Sequence, residues 1–268
     1  PYRFTHMLLA CLLTAAFLMA GISAFRLLKQ RGGAGVMAAM RTGVVLAAVV
    51  TPLQILVGDL HALNTLPHQP AKIAAMEAVW ETQQGAPFTL IGLPDEADRV
   101  TRAALRIPYA ASLVLTHRLD GEVQGIKEFE GAHPPVAPVF WAFRVMLAIG
   151  FTMLVVSWWA AWGIFRQQEY SEKLLKVLSL MTFSGWVAVL AGWYVSEVGR
   201  QPWMIYGLVR VSELVADHSG QTVLATLITY ALLYAFLLVS YIAVLYRLAA
   251  QSTNEQQAGA GITGSDRD

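Results

Sequence analysis

Residues 192–203, GWYVSEVGRQPW, put a flat aromatic side chain (Trp193), a carboxylate (Glu197) and a guanidinium (Arg200) at the end of a segment otherwise apolar enough to lie in lipid. An ionisable pair in such surroundings is costly to keep, which makes it a functional candidate. Spacing of i, i+4 and i+7 predicts one shared helical face for the three. That face would offer an aromatic wall, an anionic ligand and a cation to something large and flat. The plainer alternative is a helix-end ion pair beside an interfacial Trp.

Three other stretches could do related chemistry. In PYRFTHM, His6 heads an apolar helix with Arg3 one turn before it. A neutral imidazole is a common haem-iron ligand and a nearby Arg suits a propionate; a hydrogen-bonded interfacial histidine is the alternative. In FWAFRVM, Arg144 and Met146 lie two apart and so point about 200° from each other on a helix. A thioether can be the second axial ligand of a low-spin haem, although Met is also an ordinary core filler. An Arg inside an apolar span calls for an anionic partner such as a propionate. In HQPAKIAAMEAVWETQ, Pro70 suits a helix entry, Lys72 and Glu77 lie near each other without stacking, and Trp80 follows Glu77 by three. A base, a cation and an aromatic wall would suit a quinol head group, whose oxidation releases protons; a surface amphipathic helix is the alternative. The histidines at 61, 68, 117, 133 and 218 show no metal-binding spacing, and no P-loop, G-x-S-x-G or dinucleotide fingerprint occurs.

The elements that must position these residues follow from composition. Of 268 residues, 56% are hydrophobic and 14% charged, against roughly 45–50% and about 25% in soluble domains. The chain is therefore read as an integral membrane protein. A net charge of +1 gives no support to a nucleic-acid partner, and the single Cys11 excludes an internal disulfide. Apolar runs long enough to span a bilayer are expected at 4–28, 36–57, 139–165, 174–196 and 222–248. The expected organisation is two spans in 1–57, a polar excursion over 58–138, three spans in 139–250 and an unstructured tail over 251–268. This is an all-α membrane protein of about five transmembrane helices with a large extracytoplasmic loop between the second and third. Cations at Arg26, Lys29, Arg31, Arg166, Lys173, Lys176 and Arg247 place their turns in the cytoplasm by the positive-inside rule. His6, Met146, Glu197 and the loop then share the outer side. The chain starts at Pro1 with no signal peptide, and is expected to continue something longer.

The stretches RFTH, QPAKIAAMEAVWET, FTLIGLPDE, APVFWAFRVM and AGWYVSEVGRQPW, in this order, closely resemble subunit I of the cytochrome bd-type quinol oxidases, and the resemblance extends to about Leu248. It implies that His6 and Met146 are the axial ligands of the low-spin haem b558, with Arg144 beside it. It implies that Glu197 ligates the high-spin haem b595, with Trp193 and Arg200 in the same block, and that Lys72 and Glu77 of the periplasmic Q-loop bind quinol. The implied activity is oxidation of membrane quinol, ubiquinol or menaquinol, coupled to reduction of oxygen to water at haem d or a third haem b, in the bacterial inner membrane. The implied partners are subunit II, a small single-span subunit and the N-terminal half of subunit I, since the family's first four helices have no counterpart here. The excursion lacks a long insertion, as in the short-loop branch that includes the cyanide-insensitive oxidases. A non-redox transporter or scaffold held by structural ion pairs, or a fragment inactive without its N-terminal half, stands as the alternative.

Overall fold

The computed structural model describes residues 1–166, 170–214 and 218–262, with side chains up to residue 248. Its helices are α1 (Tyr2–Leu28), α2 (Ala34–His68), α3 (Pro70–Glu77), α4 (Ala110–Thr116), α5 (Val136–Phe165), α6 (Glu172–Leu180), α7 (Ser184–Val198) and α8 (Gly220–Ile262). Five stretches are long and apolar enough to cross a membrane: Tyr2–Leu28, Ala34–His68, Val136–Phe165, Glu172–Val198 and Gly220–Leu248. That matches the expected span number, with corrected bounds. The second helix runs eleven residues past the expected 57 and carries Pro52 and Pro67 within it. The excursion accordingly begins only after His68. The fourth span is two helices, α6 and α7, joined by a 3-10 turn at Met181–Phe183. The helix of α8 enters the segment 251–268, and residues 263–268 lie outside the described residues.

Residues 1–214 form one unit and α8 belongs to a second. Within the first, helices that share lipid as solvent gain little from apolar burial and pack instead through small residues. Ala16, Ala20 and Ala24 of α1 are buried. Gly43 of α2 sits so close that an added Cβ would lie 2.8 Å from the Ala16 carbonyl and 2.9 Å from the Ala20 nitrogen. Those are backbone atoms and cannot rotate away. Gly43→Val should therefore lower stability by about 1–3 kcal/mol, read as a fall in melting temperature in detergent. Gly35→Ala, whose new Cβ would meet nothing within 4 Å, should leave it unchanged.

The loop between α2 and α5 is not helical throughout. Strands β1 (Gln83–Gln84) and β4 (Glu122–Val123) pair, and β2 (Phe88–Asp95) pairs antiparallel with β3 (Val100–Ile107), matching Phe88 with Ile107 and Thr89 with Arg106. The segment GAPFTLIGLPDEADRV, whose glycines and prolines read by themselves as turns, is thus mostly a hairpin. Asp95 makes its turn, accepting from the Ala97 and Asp98 amides through Oδ1 and from Arg102 Nε through Oδ2. Glu96, next along, accepts from the Val136 amide at 2.6 Å, satisfying one of the orphan donors at the start of α5. Two apolar cores result. One joins α1, α2, α5 and α6. The other lies under the loop, joining Ile73, Val79, Trp80 and Ala111 to Val136, Val139 and Phe140 of α5 and Val195 of α7.

Candidate functional site

Helix α3 is where the loop meets the bundle. Pro70 opens it, as the sequence predicts, and Ala78 in a left-handed conformation closes it. It is not a surface amphipathic helix: every residue from Ala71 to Glu77 is buried. A charge can be carried in such a place only if each is answered by a partner, and the two charged residues are answered from different directions.

Glu77 is 4% exposed and its Oε2 accepts from Arg144 Nη2 of α5 at 2.8 Å. Arg144 also donates through Nη1 to the Met76 carbonyl (2.5 Å) and through Nε to the Thr89 carbonyl (2.8 Å). Its guanidinium lies over the rings of Phe140 and Phe88 at 4.2 and 4.7 Å, a flat, weakly hydrated cation stacked as Arg allows and Lys does not. The anion expected beside Arg144 is therefore, in this chain, the Glu77 carboxylate. Burial pushes the Glu77 carboxyl above its ordinary range, and the guanidinium only partly opposes this. A base held there accepts a proton at higher pH than a surface glutamate would.

Lys72 turns the other way, toward the end of α7, where its Nζ donates to the Ser196 carbonyl at 3.2 Å. The backbone at Gly199 makes room, since a Cβ there would lie 3.0 Å from Lys72 Cγ. Burial, then Arg3 and Arg200, lower the Lys72 ammonium to about 8, with Glu197 opposing. The fold thus carries this charge at a cost that is complete below pH about 8 and disappears as pH rises toward the ordinary lysine value. Beside it Arg200 Nη2 donates to Glu197 Oε2 at 2.6 Å. Glu197 and Arg200 pair as the spacing predicts, but not along one helix: α7 ends at Val198, because Gln201 precedes Pro202 and is pushed out of the helical region. Trp193 sits exposed one turn before Glu197, its ring edge-on to Tyr194 at 5.6 Å.

His6 and Met146 face helix neighbours that leave them space. The half-buried His6 ring lies between Gly58 of α2, where a Cβ would lie 3.1 Å from Cε1, and His61, 5.8 Å away centre to centre. The Gln54 amide nitrogen, a donor, is 3.2 Å from His6 Nε2, and His6 Nδ1 is buried with no hydrogen-bond partner. Met146 Sδ is matched by Gly192 of α7, where a Cβ would lie 3.0 Å from the sulfur. Taken singly, an imidazole with an unsatisfied buried nitrogen and a thioether facing a glycine each have the chemistry of a haem-iron ligand; the contacts of His6 are with α2 and that of Met146 is with α7. Gln54 and Gly58 escaped the sequence reading, which set His61 aside for lack of metal-binding spacing and gave Gly192 no role; their signal is helical spacing, 54 to 58 to 61 along α2, and for Gly192 its place just before Trp193.

On the far side of Glu77 a cleft of about 480 Å³ opens between the loop and the β2–β3 hairpin. Glu77, Trp80, Thr89, Arg99, Thr101 and Arg106 are among its walls. Trp80, buried, is fixed by donation from Nε1 to Thr101 Oγ1 at 2.9 Å. A volume of this size is in the range of small-molecule sites.

The family model described as cytochrome bd terminal oxidase subunit I matches residues 1–253. Similar curated proteins include cytochrome bd ubiquinol oxidase subunit 1 of Bacillus subtilis (strain 168), 28% identical over 248 residues, which are 88% of this chain and 53% of that protein. Cytochrome bd-II ubiquinol oxidase subunit 1 of Escherichia coli (strain K12) is 25% identical over 332 residues, covering 96% of this chain and 63% of that protein. Among solved structures, the bd oxidase from Geobacillus thermodenitrificans matches with a TM-score of 0.84 at 30% identity, over 94% of this chain and 58% of that one. The chain spans between half and two thirds of the length of these relatives.

Proposed function

This chain is a member of the cytochrome bd terminal oxidase subunit I family, and on that premise we propose that it is the haem-carrying, quinol-oxidising portion of a bd-type quinol:oxygen oxidoreductase in the bacterial inner membrane. His6 and Met146 would hold the low-spin haem b558, and Glu197, with Trp193 and Arg200, the high-spin haem b595. Lys72 and Glu77 would bind quinol on the periplasmic side. Subunit II, a small single-span subunit and the N-terminal half of subunit I, with haem d or a third haem b, would complete the enzyme. Two relatives of this chain are described as ubiquinol oxidase subunits.

The observation that carries the proposal is the position of α3. One helix of the loop delivers Glu77 to Arg144, two residues from Met146, and Lys72 to Ser196, next to Glu197. A quinol bound at α3 would therefore lie beside α5 and the end of α7, the two helices that carry Met146 and Glu197. When bound, haem b supplies a one-electron acceptor. The chain's own residues do the rest: Glu77, its carboxyl raised by burial, takes a proton from the quinol hydroxyl. Arg144 keeps that carboxylate aimed, and Lys72, donating to the Ser196 carbonyl, holds a second positive charge on the α7 side of α3. Trp80 keeps bulk water from one side.

Replacing Lys72 or Glu77 by Ala in the assembled oxidase should slow quinol-dependent oxygen uptake by about 10-fold or more, the effect of one charged hydrogen bond, with haem content unchanged. Normal turnover in both variants would reject the loop as the quinol site. The Glu77–Arg144 and Glu197–Arg200 pairs would also suit a non-redox membrane scaffold. Reduced membranes with a b-type α-band support the oxidase, and a colourless preparation supports the scaffold.

A further inference from the structure

Four charged side chains line the cleft beside Glu77: Glu77 itself, Glu81, Arg99 and Arg106. Glu77 is held by Arg144, Glu81 pairs with Lys127 and Arg99 pairs with Glu130. Arg106 makes no ion pair or hydrogen bond among the described residues. It stands on β3 opposite Thr89 of β2, and the Thr89 carbonyl is one of the three groups fixing Arg144. The hairpin thus carries the free guanidinium and one of the carbonyls that fix Arg144, and Arg106 and Glu77 of α3 line the same cleft.

We propose that this cleft takes the quinol head group and that Arg106 is its anion-binding residue, a role that rests on the reading of Glu77 as the proton acceptor. The first step needs no oxidant. One hydroxyl O–H bond breaks, the proton passes to the Glu77 carboxylate, and the bonding pair stays on oxygen as a hydroquinone mono-anion. An anion formed against a buried wall must be met by a cation. Arg144 already makes three bonds to the loop, and Lys72 donates toward Ser196 and is not among the cleft's walls. Arg106 alone of the lining charges has its donors unspent, and a guanidinium can give two parallel N–H groups to one oxyanion. The ring packs against Trp80, whose indole is locked by Thr101.

Membranes carrying the complete oxidase and titrated with a short-chain ubiquinol test this. Arg106→Gln should lower kcat/KM for the quinol about 10-fold, with haem content and the dithionite-reduced spectrum unchanged. Arg106→Lys, keeping the charge, should recover to within about threefold of the parent. Glu77→Gln serves as the reference for the site itself. If Glu77→Gln is impaired and Arg106→Gln is not, the role of Arg106 is overturned and the assignment of Glu77 stands. If neither is impaired, both fall. If Lys restores no more than Gln does, charge is irrelevant at this position and the inference is equally overturned.

Discussion

In the assembled oxidase, Met146→Leu should turn the proposed low-spin haem b high-spin while the protein remains folded and loaded. Leu and Met differ little in volume, and such exchanges cost under about 1.5 kcal/mol. The new side chain still fills the space that Gly192 leaves open, where the sulfur now stands 3.0 Å from the position of a Cβ. On the proposed ligation only the thioether would be lost, and His6, with its unsatisfied ring nitrogen, would still hold the iron. Reduced-minus-oxidised absorption spectra and electron paramagnetic resonance of the oxidised form read the change directly. A spectrum identical to the parent would strike Met146 from the ligand set.

Arg144→Leu, in α5, should be the single change that most destabilises the loop. It deprives Glu77, 4% exposed, of the one counter-ion it has among the described residues, and it releases the Met76 and Thr89 carbonyls. Stranding one member of a buried pair costs about 3–5 kcal/mol, a large share of the marginal stability of a folded chain. The expected readings are a lower melting temperature in detergent and faster proteolysis within residues 69–135. Adding Glu77→Gln to Arg144→Leu should recover part of the loss, because the stranded charge is then gone. The two changes share one interaction and must not add. Strict additivity of the melting shifts would show that the pair does not hold the loop.

Much of this arrangement was legible in the sequence, and its failures have identifiable causes. The five spans were readable because twenty apolar residues in a row leave little alternative in water. The pairing of Glu197 with Arg200 was readable as well, but not the end of α7 between them, since Pro202 acts on its predecessors and the periodicity ignores it. Lys72 and Glu77, expected near each other without stacking, turn to different partners, Ser196 and Arg144. Their burial was invisible, because α3 is covered by segments distant in sequence: Phe140 from α5 and Val195 from α7. Arg144 announced that it needed an anion and not which one. Its partner is 67 positions away, and nothing local names it. The hairpin was read as turns because Gly92 and Pro94 interrupt the alternation, and the bulges around Ile91 accommodate the break.

The clamp between α5 and the loop also dictates an order of biogenesis. Residues 69–135 leave the ribosome before α5 exists, yet Glu77 waits for Arg144, and the turn at Glu96 has its acceptor ready for the amide of Val136. The loop therefore cannot reach its final shape until α5 has been made and set beside it. Its closure is thereby timed by the helix that follows it.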